Sequence, residues 1–536
     1  MHFLKALDMA SVDDRRRRWQ ALILFALLLS GCTMVGPNFV RPQVTVSPNW
    51  LDIADKRVKT EAADYRNWWR VFNDPVLDQL IDRAYRENLS LKIAGVRVLE
   101  ARAQLGISVG GLFPQNQKAF GTLQYNRTSE RAPQAVLGSN LNYWQSEIGL
   151  LAIWELDFWG KFRRAIESAD ASWLAAVANY DNTLVSLTAD VANSYVLIRT
   201  LEKRLTIAHQ NVETQRESLK IAETRFQFGT TSQLDVEQAK TTLNNTLASI
   251  PTLETQLRQA KNALSILLGL PPNNLADILA DASEIPEPPP QVVVGIPADL
   301  LRRRPDIRSA EHQAEAQCAQ IGVAKADLFP IFSLTGTFGF LSSDVGKFSL
   351  SDMFQWKSRT VQAGPSFQWN ILNYGRITNN VRVQDARFQQ LLLTYQDTVL
   401  KAQQEAEDAL VAFLRTQERA EFLAKSAAAA KRSLDLAVLQ YREGVKDFTT
   451  VLTAQQALLN EQDNLATTLG NISSDLVGVY RALGGGWEIR EGKELVPPEI
   501  REEMAKRTNW GKLLVPISYV PPESGQPESF IRLPDW

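Results

Sequence analysis

Val361-Gln362-Ala363-Gly364-Pro365-Ser366-Phe367-Gln368-Trp369-Asn370-Ile371 sets apolar residues against small or polar ones along its whole length. Period two over about eleven residues describes a strand with one apolar and one polar face. Such a strand fits a barrel wall in a membrane, apolar toward lipid and polar toward a wet lumen; alone, it fits one wall of a soluble sandwich equally well. Pro365 removes a ladder hydrogen bond and predicts a bulge or bend. An earlier stretch repeats the pattern, Ile148, Leu150, Ala152, Trp154, Leu156 and Phe158 alternating with Glu147, Gly149, Glu155 and Asp157. On the barrel reading Ile148, Leu150, Trp154, Phe367 and Trp369 face lipid.

The two strands belong to a chain written twice. Stepping back 215 residues carries Trp369 onto Trp154, Gly375 onto Gly160, Gly444 onto Gly229 and Gly484 onto Gly269. Upstream the step is 216, and Leu328-Phe329-Pro330 falls on Leu112-Phe113-Pro114. Each copy reads as short helix, strand, loop, strand, long helix, turn and return helix. The resulting division is 1–31 export signal, 32–75 leader, 76–283 first copy, 284–296 Pro-rich linker, 297–486 second copy and 487–536 C-terminal extension. The extension, with Pro497-Pro498, Pro521-Pro522 and terminal Trp536, either straps the outside of the molecule or hangs free.

The helices set a height. Gly160 to Gly229 and Gly375 to Gly444 are each 69 residues apart, with no glycine or proline between them. Each stretch spans roughly 100 Å as helix, which puts both turns at one level. Val177, Tyr180, Leu184, Leu187, Val191, Tyr195 and Ile198 keep the spacing of a helix packed side to side with others. The return helices, about Ser232 to Leu268 and Asp447 to Leu483, cover half that height. The short helices, about Leu89 to Ile107 and Asp306 to Ala324, stacked end to end on them, supply the rest. Gly229 and Gly444 suit helix ends that need positive φ, and Ser232 and Asp447 are candidate N-caps.

The first strands, around Gly121, Leu123 and Tyr125 and around Leu334, Gly336, Phe338 and Phe340, complete two hairpins. Four strands cannot close a membrane barrel, whose smallest members have about eight, and an open sheet edge in lipid is too costly to persist. Two or more chains are required.

The start of the chain reads as an export signal: Arg15 to Arg18, an apolar stretch from Ala21 to Leu29, then Ser30, Gly31 and Cys32. The stretch is too short to anchor a membrane helix. Leu29-Ser30-Gly31-Cys32 is similar to a bacterial lipobox, which makes Cys32 the acylated N-terminus of the mature chain, and Met9 is an alternative start. Thr33, in place of an aspartate, favours the outer membrane. Cys318 then has no disulfide partner. Lys plus Arg 58 against Asp plus Glu 60 gives −2, with nothing to attract nucleic acid. His2, His209 and His312 have no paired carboxylates, phosphate loop or nucleophile motif beside them, so neither an enzyme nor a metal or cofactor site is expected. A structural coiled-coil lipoprotein is the rival from another class, and the alternating strands and the duplication argue against it.

From Cys32 to Trp487 the chain resembles the TolC family of outer-membrane factors, in particular the NodT/OprM-like lipoprotein branch that serves resistance-nodulation-division (RND) efflux systems. The resemblance is carried by Gly31-Cys32-Thr33-Met34-Val35-Gly36-Pro37-Asn38-Phe39-Val40-Arg41-Pro42, by Trp69-Arg70-Val71-Phe72-Asn73-Asp74-Pro75-Val76-Leu77 and by Ala482-Leu483-Gly484-Gly485-Gly486-Trp487. It implies an α+β membrane protein: a homotrimer with a twelve-stranded outer-membrane β-barrel, four strands per chain, continued by a long periplasmic α-helical barrel. It also implies two partners, a periplasmic adaptor (membrane fusion) protein and an inner-membrane RND transporter, with passive exit for drugs, toxic compounds or metal ions. A type I protein secretion duct is the alternative within the family.

The resemblance further implies that the helix turns form the periplasmic gate and adaptor-docking site, with Gly229 and Gly444 at their bends. Tyr441, Asp235 and Lys446 fall where some members hold the gate with a tyrosine, an aspartate and a basic residue, and Asp447 is a further gate candidate. Thr450 and Thr453 stand where some members line the constriction with aspartates, a departure that takes carboxylates out of that ring.

Overall fold

The computed structural model describes residues 34–61, 64–131, 141–279, 284–295, 297 and 303–515. Cys32, the export signal and Trp536 lie outside the described residues. The leader brings the two-residue strand β1 (Val58–Lys59) and a 3-10 turn (Trp68–Phe72), and α1 (Pro75–Glu87) follows. The first copy continues with α2 (Leu89–Gly110), β2 (Asn116–Arg127), β3 (Asn142–Leu156), α3 (Lys161–Gln227) and α4 (Gln233–Leu267). After the short strand β4 (Val292–Val293) the second copy holds α5 (Pro305–Ala326), β5 (Ile331–Ser343), β6 (Arg359–Gln368), α6 (Arg376–Arg442) and α7 (Phe448–Ala482). Corresponding helices match in length: 22 residues in α2 and α5, 67 in α3 and α6, 35 in α4 and α7.

The four long strands form one antiparallel sheet in the order β2-β3-β5-β6. The bulge expected at Pro365 does not form, since β5 and β6 pair without a break and Leu334 lies opposite Pro365. β6 is an outer strand of the sheet, where a missing N–H is tolerated. The strands also end earlier than their alternation suggests. β3 stops at Leu156 and β6 at Gln368, so Phe158, Trp369 and Ile371 belong to the connections into the long helices. In the first copy Asp157 takes over, its carboxylate accepting from the backbone N of Phe162 (2.9 Å) and of Arg163 (3.1 Å). In the second, Ile371 N turns back onto Trp369 O at 3.1 Å.

The helices make a wall four columns wide. α3 packs between α2/α4 on one side and α5/α7 on the other, and α6 packs on the far side of α5/α7. The two-helix columns are jointed by one device used twice. Asn88, N-cap of α2, donates from Nδ2 to the carbonyl of Leu267, the last residue of α4, at 2.9 Å. Arg304, N-cap of α5, donates from Nη1 to the carbonyl of Ala482, the last residue of α7, at 2.7 Å. These residues correspond under the offsets of the duplication. Each donor also answers a helix C-terminus, whose last carbonyls have no intrahelical partner.

Two segments pack against the wall. The leader lies along α5 and α6, with Ser47 N bonded to Gln403 (3.1 Å), Leu51 N to Glu407 (3.1 Å) and Arg57 to the Leu414 carbonyl (3.0 Å). β1 pairs with β4 in parallel and ties leader to linker. The C-terminal extension continues through a 3-10 turn (Trp487–Arg490) and α8 (Pro498–Arg507), burying Trp487, Val496 and Met504. A Cβ on Gly95 of α2 would come within 2.3 Å of the Leu495 carbonyl, so glycine lets this strap lie close. Among the described residues no helix is long and apolar enough to cross a membrane.

Candidate functional site

Two ends of the molecule carry chemistry, the sheet and the helix turns. In the sheet, Ile148, Leu150 and Trp154 point to one face of β3, and the register extends that face across the neighbouring strands. Trp154 lies opposite Leu334 and then Pro365, Leu150 opposite Phe338 and then Val361, and Leu156 opposite Phe332 and then Phe367. The other face presents Gln145, Glu147, Thr335, Thr337, Gln362 and Ser366. Trp369 lies just beyond its strand and is matched with Trp154 by a hydrogen bond. Trp154 Nε1 donates to the Leu112 carbonyl at 3.1 Å and Trp369 Nε1 to the Leu328 carbonyl at 3.0 Å, partners that correspond across the copies. Both indoles thus mark the level where sheet meets helices, the amphipathic position tryptophan favours at a membrane boundary.

At the opposite end the two turns lie side by side. Gly229 (φ +69°) and Gly444 (φ +74°) take the left-handed conformation after α3 and α6. Thr230 N reaches the Arg225 carbonyl at 2.9 Å and Val445 N the Gln440 carbonyl at 2.8 Å, closing both helices in the same way. Ser232 and Asp447 occupy N-cap positions, but neither side chain accepts a capping bond. The Ser232 hydroxyl instead donates to Asp235 Oδ1 at 3.3 Å, while Asp447 is exposed.

Tyr441 is buried among Leu434, Ala437, Phe448 and Val451 of its own hairpin and Ala222, Val236 and Ala239 of the other. Its ring stands 5.0 Å from that of Phe448, and its hydroxyl donates to Thr231 Oγ1 at 3.4 Å. Thr231 in turn donates to the Asp235 carboxylate. Tyr441 and Asp235 therefore meet through a threonine. Lys446 does not join them: it is exposed and makes no ion pair among the described residues. Thr450 and Thr453 are exposed on α7, turned away from the buried Phe448 and Val451.

The basic residue that does hold Tyr441 is Arg225. Its guanidinium lies 4.7 Å from the Tyr441 ring centroid, and Nη1 donates to the carbonyls of Tyr441 and, at 3.2 Å, Arg442. A cation there also faces the negative end of α6. An open cleft of about 780 Å³ runs beside it, lined in part by Glu217, Lys220, Arg225, Arg442 and Glu443. The sequence signal that could have found Arg225 is a break in the duplication: under the offset it falls on Gln440, so only one copy carries the charge. Phe448 and Thr231 likewise fall on unlike residues, Gln233 and Lys446.

Between the two ends the strap is fastened by buried charge. Arg490 donates to both carboxylate oxygens of the fully buried Asp181, to Oδ2 at 2.9 Å, and Arg308 reaches the same Oδ2 at 3.3 Å. Burial pushes the Asp181 carboxyl above its ordinary range even with two guanidiniums against it. No group of His, Cys, Asp and Glu among the described residues is placed to hold a metal ion.

A two-faced antiparallel sheet, prolonged by a helical wall roughly 100 Å tall and open at both edges, has the build of an outer-membrane channel wall. The chain belongs to the outer membrane efflux protein family, whose model matches residues 80–270 and 296–485, once in each copy. It is 30% identical to Nodulation protein T of Rhizobium leguminosarum bv. trifolii, over 86% of this chain and 96% of that protein. It is 31% identical to the solvent efflux pump outer membrane protein SrpC of Pseudomonas putida, over 88% of this chain and 100% of that one. Among solved structures, the outer-membrane channel OprN is 31% identical and superposes with a TM-score of 0.79 over 85% of this chain and 99% of its own. The Campylobacter jejuni CmeC outer membrane channel is 25% identical, with a TM-score of 0.77 over 87% of this chain and 100% of its own. The chain is thus an outer-membrane efflux channel, with its sheet in the membrane and its helices extending into the periplasm. Its family is one of ducts.

Proposed function

We propose that three copies close edge to edge into one duct, which a periplasmic adaptor joins to an inner-membrane RND transporter and through which small molecules leave passively. The observation that carries this reading is the pair of open flanks: β2 and β6 on the sheet, α2/α4 and α6 on the wall. Unpaired strand edges cannot stay open in lipid. Two copies would supply eight strands, a barrel just filled by its own side chains, whereas three supply twelve and leave a passage. The apolar face of Ile148, Leu150, Trp154 and Phe367 then meets lipid.

Cys32 supplies the acyl anchor. Two residues after it, Met34 packs against Gly160 at the junction of sheet and helices, the depth of the inner leaflet of the outer membrane. The tip is held shut within each copy by Tyr441, Thr231, Asp235 and Arg225. Lys446, Asp447, Thr450 and Thr453 are left for contacts between copies, with the adaptor or with the constriction. Several relatives are named for toluene, solvent or antibiotic efflux, which favours apolar small molecules as cargo. Native mass measurement of the acylated protein should give three protomers, and planar bilayers should show discrete conductance. A stable monomer, or a trimer without conductance, would overturn the reading. Deleting the gene should raise cellular accumulation of an aromatic solvent or dye, and unchanged accumulation would reject the cargo class.

A further inference from the structure

The two outer strands of the sheet end their apolar faces in the same way. On β2 that face runs Ala119, Gly121, Leu123 and Tyr125 and stops at Arg127; on β6 it runs Phe367, Pro365, Ala363 and Val361 and stops at Arg359. Both arginines are exposed, and both stand at the rim farthest from the helices. Neither forms an ion pair among the described residues. The carboxylates of the adjoining loop are already engaged: Asp344 accepts from Trp144 N at 2.7 Å, and Asp352 from Ser349 N at 3.1 Å and Gln355 Nε2 at 2.7 Å. Glu130, in the loop after β2, pairs with neither arginine.

β2 leads away from the helices and β6 leads back to them, so a seam between β6 of one copy and β2 of the next is antiparallel. Such a seam brings Arg359 and Arg127 to the same rim and the same face. Two like charges on neighbouring strands oppose pairing unless an anion lies between them. The surroundings suit a headgroup layer. The Arg359 guanidinium lies 4.8 Å from the Trp356 ring centroid, and beside Arg127 the rings of Tyr125 and Trp144 stand 5.3 Å apart. From Trp144 to Trp154 is ten residues of β3, roughly 33 Å along the strand. At barrel tilt this becomes about 25 Å of height, the thickness of an apolar band. The arginine rim therefore sits at the outer boundary of the hydrocarbon rather than inside it.

We propose that each seam of the assembled channel binds the phosphate of an outer-leaflet lipid headgroup between Arg127 of one copy and Arg359 of the next. The planar fork of arginine matches a phosphate with two parallel donors, which a lysine cannot do. The proposal rests on the edge-to-edge closure proposed above, and its test separates the two.

The full-length acylated protein, purified in detergent, is exposed to lipid A bearing both phosphates or to the same lipid dephosphorylated, and retained lipid is counted by native mass spectrometry. The wild-type oligomer should keep the phosphorylated lipid and lose the dephosphorylated one. The double variant Arg127→Gln/Arg359→Gln should hold the phosphorylated lipid about tenfold more weakly, and Arg127→Lys/Arg359→Lys should fall between. Equal retention of the two lipids by wild type overturns the proposal without recourse to any variant, as does equal retention by wild type and double variant. If the double variant does not assemble, either single Gln variant must show the loss. A wild-type protein that stays monomeric refutes seam closure itself, whereas an intact oligomer indifferent to phosphate refutes only the lipid site.

Discussion

Arg225 of the first hairpin lies over the ring of Tyr441 of the second, 4.7 Å from its centroid, and donates to the same residue's carbonyl. One side chain thus holds a neighbouring helix by its aromatic ring and by its last turn. Arg225→Ala should free the α6–α7 turn, removing about 2 kcal/mol of local protection from the lost cation–π contact and charge-assisted hydrogen bond. Amide exchange across residues 439–446 should accelerate and single-channel conductance should rise. Arg225→Lys should recover only part of the protection, and exchange identical to wild type would count against the latch.

Asp235 and Lys446 stand at the tip in different settings. Asp235 reaches Tyr441 through Thr231 inside one copy, whereas Lys446 faces outward. The double variant Asp235→Ala/Lys446→Ala should raise conductance in planar bilayers, with the Asp235 part persisting when Lys446 is already alanine. Unchanged conductance in intact trimers would remove both residues from the gate. Asp235 and Lys446 share no ion pair within one copy, so the effects of the two single substitutions should add.

The two faces of the sheet should respond oppositely to charge. Leu150→Arg sets a cation on the apolar face near mid-height, at a cost of about 2–4 kcal/mol in a bilayer. Assembled protein in the membrane fraction should fall sharply. Gln362→Arg, on the polar face, should assemble normally. Similar yields from the two variants would mean that the apolar face does not meet lipid.

Arg490→Met leaves Asp181 buried with only Arg308 against it, and breaking a buried pair in this way costs about 3–5 kcal/mol. Residues 487–515 should exchange faster and become open to proteolysis. Adding Asp181→Leu should restore much of the loss, because the stranded charge goes with it. Full protection in the single variant would show that the strap is held by its apolar contacts alone.

Periodicity made the helices and strands legible. Helix length, the level of the turns and the two faces of the sheet all follow from repeats of two, of seven and of 215 residues. Family likeness also pointed to Tyr441 and Asp235. What stayed hidden was contact without period. Arg225 meets Tyr441 across 216 residues, and Thr231 stands between Tyr441 and Asp235. Side-chain competition hid the rest: Ser232 spends its hydroxyl on Asp235 instead of its helix, and Asp157 ends a strand whose alternation runs on through Phe158.

The joints at Asn88 and Arg304 give the wall two kinds of stave. α3 and α6 run unbroken, like masts; α2/α4 and α5/α7 are each two pieces packed end to end, with the Asn88 and Arg304 side-chain bonds across the break. A mast passes any tilt at its foot up to the deck, but a jointed stave can slip at its coupling. The lower pieces thus meet the upper ones with no continuous helical backbone between them. Any movement at the tips would reach the sheet along α3 and α6 alone, so two of the four columns, not all of them, would carry it upward.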